Sequence, residues 1–279
     1  MIAILLTTYN SKEYLYEQID SLKKQTYQEW NLFVRDDMST DRTPSIVKEL
    51  SCQDQRIHFL ADDKKRGAKD GFMWLLEHVE ADYYMFCDHD DVWLPEKIEK
   101  SFKVLLEQPD KENVPIIVCT NAKLVDGQLQ IIEDSYWNYK CYKSWMFSDR
   151  HYHLFYNNVL GCTMLFNKKA KQIALPYPPD IVMHDAWLAA SVLWHRGRII
   201  PIHEPLLLYR QHKNNTIGSP QMPSIIQQLR NFFSLFQKTR LQYNASKPLF
   251  YMPFFIFFMM KTKYMLSEHF RHFIKHRSQ

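Results

Sequence analysis

Tyr83-Tyr84-Met85-Phe86-Cys87-Asp88-His89-Asp90-Asp91-Val92-Trp93-Leu94-Pro95 is an apolar run that ends in three carboxylates within four residues. A short apolar stretch closed by a polar turn reads as a buried strand. Like charges crowded at its end need proton uptake, a basic partner or a hard divalent metal. Mg²⁺ or Mn²⁺ bound there would keep positions open for phosphate oxygens, which points toward a nucleotide diphosphate. An acidic surface turn is the plain alternative for the same residues. The surrounding sequence decides between the two.

Upstream, strand-like and helix-like segments alternate: strands over 2–8, 30–35, 56–61 and 83–87, helices over 11–25, 44–51 and 68–79, then a helix over 95–106. Such alternation builds a parallel α/β sheet, whose ligands sit at the carboxyl ends of the strands. Asp36 and Asp37 follow one strand and the acidic cluster another, so one rim should carry both. The 279 residues, 46% hydrophobic and 15% aromatic, suit one large domain with an appendage and exclude disorder. Five cysteines without C-x-x-C spacing suggest neither a disulfide framework nor a zinc site, and fit a reducing cytoplasm. Residues 1–6 lack a basic n-region, so they read as a first strand rather than a signal.

The net charge of +4 is unevenly spread, because nine Lys or Arg stand against the single acid Glu268 from Ile225 onward. Within that basic tail, the apolar run 248–260 is shorter than the ~20 residues of a spanning helix and is interrupted by Pro253. It is expected to lie in an anionic membrane interface, or else to pack on the main domain or on the partner of a homodimer. No nucleic-acid-binding signature accompanies the basic residues, so no nucleic acid partner is expected.

Five ordered motifs carry a family resemblance: Thr7-Thr8-Tyr9-Asn10; Asp36-Asp37-Met38-Ser39-Thr40-Asp41; Asp88-His89-Asp90-Asp91; Met183-His184-Asp185-Ala186-Trp187; and Tyr209-Arg210-Gln211-His212-Lys213-Asn214-Asn215. Over residues 1–218 the chain resembles the inverting family 2 glycosyltransferases of the GT-A fold, in their rhamnosyltransferase-like branch. The resemblance implies an α/β GT-A fold, with a Rossmann-like, mostly parallel central sheet flanked by helices. Residues 1–220 would form this domain, with 1–120 as the nucleotide-binding half and 121–220 as the acceptor-side half. A helical, basic and aromatic extension over 221–279 lies outside the resemblance.

The implied reaction moves a sugar, with Mg²⁺ or Mn²⁺, from a dTDP- or UDP-linked donor to a hydroxyl of a glycan or lipid-linked acceptor in surface polysaccharide synthesis. Its expected place is the cytoplasm, peripheral at the inner face of the cell membrane. Rhamnose from dTDP-rhamnose is the first expectation for the donor. A UDP-glucose or UDP-galactose transferase is the alternative, and a non-catalytic membrane-associated scaffold with this fold is a third reading. Nucleotidyl transfer to a sugar phosphate is disfavoured, since it normally uses a glycine-rich amino-terminal loop and the first of only six glycines is Gly67.

Carried over residue by residue, the pattern implies that Thr8, Tyr9 and Asn10 line the nucleotide pocket and that Asp36 or Asp37 accepts from the base. A carboxylate can take the imide N–H of uracil or thymine, which favours a pyrimidine. Arg66 is expected to pair with phosphate oxygens, or to belong to a solvated basic turn with Lys64 and Lys65. Asp90 is the implied main metal ligand, with Asp88 on the ribose or the metal shell, His212 as a further ligand, and Asp91 supporting the loop. Arg210 is expected to reach the diphosphate. Inversion needs a base remote from the metal, and the resemblance assigns it to Asp185, assisted by His184. Gly161, Cys162 and Trp187 are placed on the acceptor side, Gly161 allowing close backbone approach. Met38 departs from the pattern, standing where glycine is common.

Overall fold

The structure is a computed structural model and describes residues 1–211 and 232–277, with side chains described over 235–268 of the latter. Strands β1 (Ile2–Thr8), β2 (Trp30–Asp36), β3 (Ile57–Leu60) and β4 (Tyr83–Cys87) form a parallel set in the order β3-β2-β1-β4. Every residue of β1 is buried, as expected for a central strand covered on both faces by crossover helices. Those helices are α1 (Leu15–Lys23), α2 (Thr43–Gln53) and α3 (Gly67–His78). The fit of α3 against β1 is tight at Gly71, where an added Cβ would lie 2.9 Å from Thr7 Oγ1 and 3.0 Å from Arg35 Nη1.

Beyond β4 the sheet becomes mixed. After β5 (Val92–Trp93) and α4 (Lys97–Leu106) come β6 (Ile116–Val125), β7 (Ile131–Glu133), α5 (Tyr136–Tyr139) and α6 (Tyr152–Phe155). They are followed by β8 (Met164–Asn167), α7 (Lys168–Ala174), α8 (His184–Trp194) and β9 (Arg198–Arg210). β8 inserts between β4 and β6 and is antiparallel to both, while β9 runs parallel to β6. The expected mostly parallel sheet is fully parallel from β3 to β4, and beyond β4 it combines the parallel pair β6 and β9 with antiparallel pairings of β8, β7 and β5. β8 returns antiparallel to β6 after a connection built of the four-residue helices α5 and α6 and their loops, rather than of a full-length crossover helix. β6 crosses residue 120, so the expected nucleotide and acceptor halves share one sheet.

The short β5 pairs with β9, Val92 opposite Leu208 and Trp93 opposite Leu207. This ties the turn after β4 to the far edge of the sheet. At the carboxyl end of β2 the fully buried Arg35 donates from Nε to Asp62 (2.7 Å) and from Nη2 to Asp37 (2.9 Å). Two helices follow β9 in the described residues, α9 (Phe232–Ser246) and α10 (Phe254–Arg277). Phe257 of α10 is fully buried against Leu154 and Phe155 of α6, giving this extension a small core of its own.

Met38 adopts φ = 62° between Asp37 and Ser39. The left-handed region costs an L residue about 1–2 kcal/mol, whereas glycine enters it freely and loses part of that gain through its looser unfolded chain. The Met38 side chain is 53% exposed, so little packing is lost on its removal. Met38→Gly should therefore stabilise the protein by about 0.5–1 kcal/mol, read as a higher urea midpoint at unchanged slope. A lower midpoint would mean that Met38 makes contacts outweighing its backbone strain.

Candidate active site

A cleft of about 690 Å³ opens at the carboxyl ends of β1, β2 and β4 and is closed on the far side by the amino end of α8. Its floor begins with Thr8, Tyr9 and Asn10. Thr8 is buried and donates to Asp36 Oδ1 (2.9 Å), while Asn10, at φ = 49°, accepts from the Thr40 N–H (2.9 Å). These bonds lock the end of β1 to the turn after β2.

The two acids of that turn have different tasks. Asp36 accepts from Thr8 and from the Ser39 N–H (2.7 Å) and hydroxyl (2.6 Å), and it does not border the cleft. Asp37 does border it. Its Oδ1 accepts from Arg35 and the Arg66 N–H (2.6 Å), and its Oδ2 from the Gly67 N–H (3.0 Å). A carboxylate oxygen has two lone pairs, so Oδ2 keeps one acceptor site for a ligand.

Two arginines expected at the diphosphate face elsewhere. The Arg66 guanidinium lies on Asp62, with Nε 2.6 Å from Oδ2, and Lys65 borders the cleft instead. The hydrogen bond from Arg66, joined by that from Arg35, holds the Asp62 carboxyl well below the usual carboxylate range. Lys65 Nζ lies 3.1 Å from the Tyr9 hydroxyl. Arg210 is buried behind the acidic turn, donating to the carbonyls of Asp90 (2.6 Å) and Gly127 (2.6 Å) and pairing with Glu17. With Nε, Nη1 and Nη2 each donating to one of these acceptors, it braces the turn from behind and does not border the cleft.

The turn itself presents Asp88 and Asp90 to the cleft. Burial, then the charges of Asp90 and Asp185, push the Asp88 carboxyl up to about 7. Asp91 points away from the cleft, accepts the Arg210 N–H (3.1 Å) and is fully buried, which raises its affinity for a proton. The Cys162 thiol, pushed up by the same burial, keeps its proton and hydrogen-bonds Asp91. One trio of potential ligand atoms, from Asp88, Asp91 and Cys162, lies within 4.8 Å of one another. A protonated thiol suits a hard cation poorly. The all-oxygen pair Asp88 and Asp90, whose repulsion calls for positive charge, fits Mg²⁺ or Mn²⁺ better. His212, the other expected ligand, lies outside the described residues.

Opposite stands Asp185, in the first turn of α8. It accepts the N–H groups of Ala186 (2.7 Å) and Gly161 (3.1 Å), and burial pushes its carboxyl up to about 6 against them. His184 beside it stacks on Phe72 (centroids 4.2 Å apart) and meets the edge of Phe86 (4.7 Å). Burial drives the imidazole down to about 3, so at neutral pH it is uncharged. Gly161 makes room for this ring, since a Cβ there would lie 2.8 Å from His184 Nε2. Trp187, expected on the acceptor side, is instead a core residue whose Nε1 donates to the Ala174 carbonyl (2.8 Å). It lies three residues into α8, where the helix has turned its face toward α7.

Sequence reasoning missed Lys97, which is fully buried with Nζ 3.8 Å from the Trp93 ring centroid. Burial lowers it to about 8, while Cys162, Cys87 and Asp91 oppose that fall. A lysine at the start of a charged helix reads as a surface residue, and the sequence carries no signal that this one is buried. Tyr209, which also borders the cleft, precedes Arg210 in a segment already singled out.

The likenesses to solved structures agree with this architecture. Staphylococcus aureus TarS 1-349 in complex with UDP-GlcNAc has a TM-score of 0.60 at 16% identity, over 96% of this chain and 72% of that one. The mannosyltransferase PcManGT from Pyrobaculum calidifontis, in complex with GDP-Man and Mn²⁺, has a TM-score of 0.60 at 16% identity, over 89% and 67%. At such identities the likeness establishes the GT-A fold.

In sequence, the dTDP-rhamnosyl transferase RfbG of Shigella flexneri is 27% identical over 236 residues, 77% of this chain and 74% of that one. The UDP-Glc:alpha-D-GlcNAc-diphosphoundecaprenol beta-1,3-glucosyltransferase WfgD of Escherichia coli is 33% identical over 107 residues, 38% of this chain and 42% of that one. The chain spans about two fifths of the length of the first curated relatives it matches. The family described as Glycosyl transferase family 2 matches residues 3–170, a stretch that holds all but the first residue of β1, both acidic turns and the Gly161 loop. With those elements assembled around one cleft, the chain belongs to glycosyl transferase family 2.

Proposed function

We propose that this chain transfers a sugar, with inversion, from a pyrimidine nucleotide diphosphate to a hydroxyl of a glycan or lipid-linked acceptor in cell-surface polysaccharide synthesis, with Asp185 as the base. One observation carries the reading: Asp185 shares the cleft with Asp88 and Asp90 but arrives from a distant segment, and burial raises it to about 6. That value lies near the pH at which a general base works, where it is ionised yet still basic.

Attack opposite the leaving diphosphate needs a carboxylate on the far side of the sugar, and the N–H groups of Gly161 and Ala186 hold Asp185 in one orientation there. It takes the acceptor proton as the oxygen attacks. Neutral His184, wedged between Phe72 and Phe86, shapes the wall beside it and keeps water out. Asp37 reads the imide N–H of uracil or thymine through its remaining Oδ2 lone pair, and Tyr9 and Asn10 border the same end. Asp90 and Asp88 would hold the divalent cation, which as a Lewis acid stabilises the departing diphosphate.

For the donor we favour dTDP-rhamnose, because the likeness to RfbG extends over most of both chains. The shorter likeness to WfgD keeps a UDP-hexose as the second reading. An acceptor carried on a lipid would place the reaction at the cytoplasmic face of a membrane.

Three outcomes test this. Asp185→Asn should lower transfer by about 10²–10⁴-fold while Mn²⁺ and dTDP or UDP still raise the melting temperature as in the parent. Near-normal transfer by that variant would remove Asp185 from the role. In the parent, transfer at limiting substrate should rise with pH through the range up to about 6 and then level, because the ionised form is the active one. A rate that falls over that interval would assign the group to an acid. Asp90→Asn, or chelation of the parent with EDTA, should abolish the Mn²⁺-dependent part of the thermal shift given by UDP or dTDP. A shift that survives both would mean that nucleotide binds without the cation.

A further inference from the structure

Helix α10 is apolar on two opposite sides. One side carries the fully buried Phe257 and also Tyr264, whose hydroxyl donates to Asp149 (2.7 Å), and this side seats the helix on α6. The other side carries Phe255, Ile256, Met259 and Leu266, with exposures of 70%, 46%, 56% and 50%. At 100° per residue these four fall within a third of the helix circumference, with the exposed Lys263 among them. Tyr251, fully exposed, leads into the same stripe. A soluble surface helix would carry polar residues there.

The exposed charge of this extension has one sign. Lys263 lies within the stripe and Lys238, Arg240 and Lys247 are exposed on the preceding segment, whereas Glu268, the one carboxylate among the described side chains of 235–268, is buried. No described helix is long and apolar enough to cross a membrane. We infer that the outward face of α10 lies in the headgroup region of an anionic bilayer, with Phe255, Ile256 and Met259 inserted and the cations on lipid phosphates. Aromatic and aliphatic side chains flanked by lysines suit that boundary, and the attraction to anionic lipid adds to apolar burial. A second copy of the chain fits less well. A two-fold interface sets the same patch against itself, and among the described side chains of 235–268 no exposed carboxylate is there to answer Lys263.

This attachment does not depend on the transfer reaction, and it can be read without a substrate. The full chain should co-sediment with vesicles of phosphatidylcholine and phosphatidylglycerol, about tenfold less with phosphatidylcholine alone, and progressively less as salt is raised. The triple variant Phe255→Ser, Ile256→Ser, Met259→Ser should reduce binding at least tenfold. Its thermal shift with Mn²⁺ and nucleotide should match that of the parent, which shows the domain intact. Lys263→Glu should weaken binding to the anionic vesicles with little effect on the neutral ones. Equal sedimentation of parent and triple variant would overturn the inference. So would a parent dimer that the triple variant dissociates in gel filtration, because the face would then belong to a second copy.

Discussion

Three carboxylates, Asp88, Asp90 and Asp185, border one cleft with Asp91 buried just behind it, and the cost of holding these charges close organises much of the surrounding structure. Water does little of this work, because Asp90, Asp91 and Asp185 are buried. The protein answers with cations placed behind the turn. Arg210 reaches it only because β5 pairs with β9 and carries the end of that long strand beside Asp90 and Asp91. Lys97 lies beneath, at the first residue of α4, and the field of Asp91 is among the charges that offset its burial. A buried ammonium without a hydrogen-bonding partner is unfavourable unless nearby negative charge compensates it. The short β5 and the position of α4 are thus electrostatic necessities as much as packing choices.

The end of β2 repeats the arrangement on a smaller scale. Arg35 is fully buried between Asp37 and Asp62, and Asp62 in turn holds Arg66. The network fixes the loop that leads into α3, so that the N–H groups of Arg66 and Gly67 converge on Asp37. Asp37 is therefore held with one lone pair to spare. Asp36, consumed by Thr8 and Ser39, keeps the turn in register with β1. Adjacent acids divide into one for the fold and one for the cleft.

Much of this was legible in the sequence, and what was not has a physical reason. The strand at 2–8 and the strand at 83–87 match β1 and β4 to the residue, because long buried apolar runs between polar turns leave little choice. Helices at 11–25 and 95–106 begin later than their patterns suggested, at Leu15 and Lys97, since the preceding residues form turns bonded to other segments. The antiparallel β8 was not foreseen, because a four-residue strand carries no periodicity of its own. Among the site residues, charge revealed which acids gather but not where the arginines point. Arg66 and Arg210 look like phosphate ligands until their acceptors are seen. Trp187 and Lys97 were misplaced or missed for a related reason: neighbours in sequence do not tell which face of a helix is buried.

Turning the arginines inward has a consequence for binding. Asp37, Asp88, Asp90, Asp185 and Glu13 border the cleft, and among the described residues the cationic side chain bordering it is Lys65. A nucleotide diphosphate brings at least two further negative charges into that space. At an effective dielectric of about 20, two unit charges 4 Å apart repel by about 4 kcal/mol, so the anion and the acids cannot share the cleft uncompensated. Proton uptake could relieve part of this, as the raised Asp88 indicates, but a protonated Asp88 would be a poorer anchor for a cation. A divalent ion on Asp88 and Asp90 would relieve the repulsion without protonating either acid, and would leave Asp185 free to stay ionised. A cation held there would thus matter for binding as well as for the leaving group, by offsetting the repulsion between the donor and the acids of the cleft.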